Sequence, residues 1–419
     1  MKIKTYSNNL RLVVNTKKNV DVVSFNIFVN VGAKNEGENE HGYAHFLEHM
    51  FFKSTKQTSY KDILKRLDDL GVSNNAYTTM TKTCYYFKCL SGVLEETIAL
   101  FSEMFFNYDF NPKEMNNERR VILEELKMDE DDQTKKAIVM SFLKMFKNTI
   151  YGHEIIGTSK SIKSVTTERL TVFKKRYYLP HNIVISVSGN ISFGKINTLI
   201  KKYFISKMGQ TAINEPEYNQ PVNAVNGAQY ITKKKDNKQS VVYILTDFGK
   251  RSFHERAVLN LYYAVLGYGM SSQLFEILRG KKALVYSIDA GCSTMGDNTI
   301  SEILFSTTTN NVESALREVR NILRKCADGN ISIDELTRAK NKLIASIEYA
   351  NESNSKISEM NGSDLIANGF IRKDKEVINE ILSVTLTDVK NAAIEVLNNN
   401  SFVVSGVGNC TNKMLKSFS

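Results

Sequence analysis

One order of apolar and polar positions occurs twice along this chain. Residues 181–192, HNIVISVSGNIS, form a nearly unbroken apolar run closing on Ser-Gly-Asn, which is the pattern of a buried strand, and an amphipathic helix pattern follows over about 195–204. Residues 401–411, SFVVSGVGNCT, repeat it, with Gly189-Asn190 mapping onto Gly408-Asn409 at an offset of 219. Upstream, 111–126 (NPKEMNNERRVILEEL) aligns with 332–347 (SIDELTRAKNKLIASI) at an offset of 221, each a long helical pattern opened by a capping residue, Asn111 or Ser332. Before each comes a strand-like stretch and a further amphipathic helix, at 85–106 and 302–323. Two nearly equal offsets in one order predict an internal duplication.

The duplication gives residues 1–207 as an N-terminal domain and 230–419 as its homologue. The polar stretch 208–229, holding two of the four prolines, is the linker between them. Each half mixes early strands, central helices and a closing strand with its helix. That order predicts an α+β fold, each domain a mostly antiparallel sheet packed against helices.

Composition narrows the classes. At 419 residues the chain is long enough for two cores, and 42% hydrophobic with 24% charged residues is ordinary for a globular protein. No window has the apolar length of a membrane span, and MKIKTYSNNLRLVV carries no signal-peptide core, so a cytoplasmic protein without membrane association is expected. The five cysteines include no C-x-x-C pair and read as reduced and mostly buried. The net charge of +10 raises nucleic acid as a partner, but the lysines are scattered. The short runs at 17–18 and 233–235 sit beside Asn and Asp with no stacking aromatics, so no nucleic-acid binding is expected.

Candidate chemistry is concentrated in HGYAHFLEHMFF, residues 41–52. His45 and His49 are four apart, so on a helix they share a face and can share one tetrahedral zinc. Glu48, one residue before His49, projects beside the metal and is placed to take a proton from the attacking water and hand it to the leaving amine. A catalytic zinc needs a third protein ligand. Glu125 is the candidate, in a helix where Glu118 lies two turns earlier on nearly the same stripe, as a supporting acid that orients a ligand or a water. Val121, Ile122 and Leu126 are expected to pack the adjacent face. The bland alternative is a solvated acidic face, and Glu124, about 100° round the helix, competes with Glu125. The second copy has Ala339 in place of Glu118, Ser346 in place of Glu125, and no H-x-x-E-H. His41 reads as a residue near the helix start, and His153, His181 and His254 as structural or surface residues.

On HFLEHMFFKST (45–55), NNAYTTMTKTCYYFKC (74–89), ERRVILEE (118–125) and LRGKKALVYSI (278–288), the chain resembles the pitrilysin and mitochondrial processing peptidase family of zinc peptidases, in its bacterial half-size form, over essentially its whole length. The resemblance implies zinc held by His45, His49 and Glu125, with Glu48 as base and Glu118 as supporting acid. It implies that Asn75, Ala76 and Tyr77 lie on an edge strand that pairs with substrate backbone. It also implies that Arg279 and Tyr286 contact the substrate carbonyl and the transition state. In the family two such chains enclose a chamber, the metal coming from one and the Arg and Tyr from the other. This chain carries both sets, so a homodimer cutting short or unfolded peptides is expected. One departure is Ala283, where relatives often have Gly. The rival readings are a non-catalytic peptide-binding subunit and a catalytic subunit that needs a different, related partner chain.

Overall fold

Runs of β-branched and aromatic residues fold into two sheets in the computed structural model, which describes residues 1–18, 20–209 and 224–418. The first sheet comprises β1 (Lys2–Thr5), β2 (Arg11–Thr16), β3 (Val22–Val29), β4 (Ser73–Thr78), β5 (Thr83–Leu90) and β6 (Ile183–Gly189), in the order β1-β2-β6-β3-β5-β4. All its pairings are antiparallel except β2 with β6. The second comprises β7 (Gln229–Lys234), β8 (Gln239–Lys250), β9 (Ser287–Met295), β10 (Asn298–Thr308) and β11 (Phe402–Gly408), in the order β7-β11-β8-β10-β9. Here only β7 with β11 is parallel. The α+β expectation holds, and five strands of the first sheet recur in the second in the same order.

The repeated Ser-Gly-Asn ends have a physical reason. Every residue of β6 and of β11 is buried, and each strand closes on a glycine of positive φ, 144° at Gly189 and 133° at Gly408. A Cβ on Gly189 would stand 2.4 Å from the Val22 carbonyl oxygen, and one on Gly408 would stand 2.6 Å from Ser240 Oγ. Glycine is required by both backbone and space.

Contacts divide the chain into two compact units, Met1–Leu126 with His153–Gln220 and Tyr349–Arg372, and Lys127–Gly152 with Pro221–Glu348 and Lys373–Ser419. In the first unit, the helices Tyr43–Phe51, Leu94–Phe106, Thr167–Tyr177 and Phe193–Tyr203 build the main core with one face of the sheet. The other face, presenting Val13, Phe28, Cys84 and Val184, is covered by Asn354–Asn368 through Leu365 and Ile366. Ser358 Oγ on that helix lies 2.7 Å from Asn26 Oδ1 and 2.8 Å from the Ser186 carbonyl. In the second unit, Phe253–Gly267, Val312–Ala327 and Leu386–Asn398 cover one face, and Gln133–Met145 packs on β8 and β11 across the other. Each sheet therefore has one face covered by a helix from the opposite half of the sequence. The duplication boundaries and the contact boundaries are different partitions. Most of the 208–229 linker (residues 210–223) lies outside the described residues.

Other expectations meet the structure locally. Asn111 Oδ1 accepts from the Lys113 amide at 2.9 Å, and Ser332 forms a reciprocal cap with Glu335, so both copies of the long helix start as predicted. All five cysteines are free and four are buried. In the lysine run, Lys233 pairs with the Glu130 carboxylate and Lys235 Nζ donates to the Glu130 carbonyl at 2.7 Å. One packing expectation fails. Val121 is 50% exposed, while Ile122 is buried and Leu126 is partly so. The buried stripe of that helix runs through Met115, Glu118 and Ile122, which turns Val121 outward.

Replacing Gly189 with Ala drives a methyl against the Val22 carbonyl and is expected to cost roughly 2 kcal/mol. Calorimetry should record a drop of several degrees in the transition of the first unit. A midpoint unchanged to within about a degree would mean that the strand end relaxes freely.

Candidate metal centre

The helix Tyr43–Phe51 owes its position to an amphipathic split. Tyr43, Ala44, Phe46, Leu47, Met50 and Phe51 are buried in the core, which leaves His45, Glu48 and His49 on the remaining, half-buried side. Nine residues are too few for a stable isolated helix, so its ends matter. At its start, the buried Glu36 carboxylate accepts from the Gly42 and Ala44 amides, both at 2.8 Å. A carboxylate there satisfies orphan donors and complements the helix dipole. Burial pushes the Glu36 carboxyl up, against the opposing hydrogen bonds from His153, Ala44 and Gly42. His153 Nε2 also lies 2.8 Å from the Ala33 carbonyl oxygen, and its ring stacks on His41 at 4.0 Å. Past the helix end, Ser54 donates to Glu114 through its amide at 3.1 Å and its hydroxyl at 2.6 Å, tying the motif to the helix Pro112–Asp131.

That second helix delivers Glu118 and Glu125 on one side, two turns apart. His45, His49 and Glu125 each offer a ligand atom, all within 4.8 Å of one another, a group able to hold a metal ion. Glu125 Oε2 lies 3.8 Å from His45 Nε2 and 3.5 Å from His49 Nε2, and the two imidazole rings are 4.7 Å apart. Glu118 faces the other nitrogen of His49, with Oε2 3.2 Å from Nδ1. Its second oxygen, Oε1, pairs with Lys53 Nζ at 2.6 Å, and Lys53 also sits over the Tyr60 ring at 4.3 Å. Glu124 is exposed and stands outside the group, which separates it from its neighbour Glu125.

The charges are mutually dependent. Burial opposes an imidazolium at His49, but the Glu118 and Glu125 carboxylates and the charge of Glu48 prevail and raise it to about 9 in the metal-free protein. Burial opposes ionisation of Glu118 as well, yet His49 and Lys53 hold its carboxyl below the usual range. Burial raises the Glu48 carboxyl, against a hydrogen bond from Thr78 and the charge of His49, with Glu125 adding to the rise. Thr78 Oγ1 donates to Glu48 Oε2 at 2.6 Å.

Asn75, Ala76 and Tyr77 lie on β4, the terminal strand of the first sheet, which packs beside the motif helix. Arg279 and Tyr286 belong to the second unit. Arg279 sits in a π-helical turn, Phe275–Lys281, its guanidinium 4.9 Å from the Phe275 ring centre. Tyr286 is 72% exposed, and its amide donates to the Ser306 carbonyl just before β9. Between them Ala283 has φ +49°, the left-handed region where glycine carries no penalty. In the second copy, Ala339 is buried and Ser346 is exposed. Glu36, Lys53 and Thr78 gained no role from the sequence. The available signals were Lys53 one turn beyond His49 and Thr78 sharing strand parity with Ala76.

Comparisons with known proteins bear on the family of the chain and on its fold. Residues 11–159 match the family described as insulinase (peptidase family M16), and residues 164–343 match the one described as the peptidase M16 inactive domain. The chain is 30% identical over 396 residues to a Bacillus subtilis protein named an uncharacterized zinc protease, YmxG, covering 93% of this chain and 94% of that one. A Mycobacterium leprae protein, also named an uncharacterized zinc protease, is 29% identical over 94% of this chain and 88% of its own. A protease from Helicobacter pylori has the same fold in its crystal structure, with a TM-score of 0.91, 23% identity, and coverage of 97% of this chain and 99% of that chain.

The raised His49 has a measurable consequence. Below about pH 9 the metal-free ring carries its proton, and binding a cation through Nε2 requires a neutral imidazole. Zinc uptake near pH 7.5 should therefore release roughly one proton from this residue, and apparent affinity should climb as pH rises toward 9. Calorimetric titration in buffers of different ionisation enthalpy reads the proton directly. Heats independent of the buffer would contradict a protonated His49.

Proposed function

Since the chain belongs to peptidase family M16, in its bacterial half-size form, we propose that it is a zinc metalloendopeptidase that hydrolyses short or unfolded peptides. The observation that carries this reading is the convergence of two imidazoles and a carboxylate, His45, His49 and Glu125, with the Glu48 carboxylate on the same helix face. Two nitrogen donors and one oxygen donor, with a further position left for water or substrate, make the donor set of a catalytic zinc site. His45, His49 and Glu125 would hold the zinc ion, which would supply Lewis acidity toward a peptide carbonyl and a bound water.

The chain's own groups do the rest. Glu48 accepts the proton of the attacking water and returns it to the departing amine nitrogen. Glu118, held by Lys53, accepts a hydrogen bond from His49 Nδ1–H, which fixes the tautomer and leaves Nε2 for the metal. The peptide adds to β4 as a further strand along Asn75, Ala76 and Tyr77, so extended conformation is selected more than any single side chain. Arg279 and Tyr286 stabilise the oxyanion. They serve the metal centre of a second copy in a homodimeric chamber. The sequence resemblance around LRGKKALVYSI supports this, as does the exposure of Tyr286. The proposed compartment is the cytoplasm, which suits five free cysteines; among the described residues no helix is long and apolar enough to cross a membrane.

Glu48→Gln should lower kcat on a quenched peptide by roughly 10²–10⁴-fold while zinc content stays at one per chain. An active Glu48→Gln protein would remove Glu48 as the base. Chelation should abolish cleavage by the purified chain and zinc should restore it. A chain inert when loaded with zinc would favour a binding subunit or one needing a different partner. Mixing inactive Glu48→Gln and Tyr286→Phe chains should recover about a quarter of wild-type activity through dimers holding one intact composite site. No recovery would contradict shared sites.

A further inference from the structure

We propose that Thr78 is a positioning residue for this reaction: its hydroxyl holds Glu48 by one carboxylate oxygen, presents the other to the attacking water, and so couples the base to the strand that receives the peptide. The inference rests on the reading of Glu48 as base.

Geometry carries it. Thr78 Oγ1 donates to Glu48 Oε2 at 2.6 Å, within the short range of a charge-assisted hydroxyl–carboxylate bond. Thr78 is the last residue of β4, directly after Asn75, Ala76 and Tyr77. Strand parity puts Ala76 and Thr78 on one face and Asn75 and Tyr77 on the other. Ala76 joins the main core, which also holds the motif helix, whereas Tyr77 packs with Cys84 on the opposite face. Strand alternation therefore puts the Thr78 side chain on the face that carries Glu48.

The frame behind this contact is closed by hydrogen bonds. Thr78 is in register with Thr83, whose hydroxyl donates to the Val31 carbonyl at 2.8 Å. In the turn between β4 and β5, the Thr79 and Met80 carbonyls accept from the Ala33 and Lys34 amides at 3.2 and 2.9 Å. Three residues later Glu36 holds the start of the motif helix. Strand, turn, cap and helix thus form one loop that Thr78 and Glu48 complete. A free glutamate side chain explores several rotamers, and confining it in advance removes that search from the reaction step.

The test uses the full-length zinc-loaded chain as Thr78→Val and Thr78→Ser, with Thr78→Ala in reserve should valine not give folded protein. Zinc per chain, kcat and KM on a quenched peptide, and the Glu48 side chain in crystals of each variant are compared with wild type and Glu48→Gln. Valine keeps the shape and removes the donor, so kcat should fall roughly ten- to a hundredfold with KM and zinc content within about twofold, and Glu48 should turn away from its wild-type orientation. Serine restores the donor and should recover kcat to within about threefold. If Thr78→Val keeps kcat while Glu48→Gln is inert, Thr78 has no positioning role and the base assignment stands. An equal loss in serine and valine variants, or loss of zinc in either, would make Thr78 merely structural and overturn the proposal. An active Glu48→Gln would remove the base itself, and the proposal with it.

Discussion

The capping of one short helix by one buried carboxylate is the constraint on which the site depends. The helix Tyr43–Phe51 has nine residues, buries six of them, and must carry two imidazoles and a carboxylate on the side that remains. Burial alone fixes its roll about its own axis. Glu36, accepting from the Gly42 and Ala44 amides, fixes where it starts. A cap of this kind contributes about 1–2 kcal/mol. Without it, the first turn would fray and His45, on that turn, would lose its fixed relation to Glu125.

A chain of compensating charges then holds the side chains. Lys53, Glu118, His49 and Glu125 alternate in sign when His49 is protonated, and each is at most partly exposed. None of these groups could be buried alone at acceptable cost. The pairing of Lys53 with Glu118 keeps that carboxylate ionised, and the ionised carboxylate orients the imidazole. The carboxylates of Glu118 and Glu125 that favour a proton on His49 are also groups whose charge would favour a cation beside it.

Much of this was legible in the sequence, for reasons specific to each residue. His45, His49 and Glu48 were readable because helical spacing converts directly into direction. Glu125 was separable from Glu124 because Glu118 marks the inward stripe, and the duplication was readable because β6 and β11 close on the same glycine geometry. Other features had no linear signature. Glu36 is one of three acids at alternate positions in 36–40, and nothing in their order says which one turns inward. Thr78 has the correct strand parity, but parity does not say that Glu48 waits on that face. The reciprocal exchange of helices Gln133–Met145 and Asn354–Asn368 was hidden because an amphipathic pattern specifies that a helix packs on a sheet, not which sheet. Val121 was misread because its apolar character counted toward a buried stripe that runs instead through Glu118.

The second copy shows why the chemistry is present as a set or absent as a set. Its sheet retains the strand order of the first, yet buried Ala339 occupies the place of Glu118 and Ser346 that of Glu125. A buried carboxylate like Glu118 is tolerable only while Lys53 and His49 answer it; removing either partner leaves an uncompensated charge that costs several kcal/mol, on the order of 3–5. Replacing the whole network by alanine and serine leaves no charge to answer, and an apolar substitute for a buried ion pair is often neutral or stabilising. Partial sets are the unstable intermediates between these two states. A half that keeps every member of the network is therefore under a constraint that its folding alone does not impose, and the metal site proposed at His45, His49 and Glu125 would supply one.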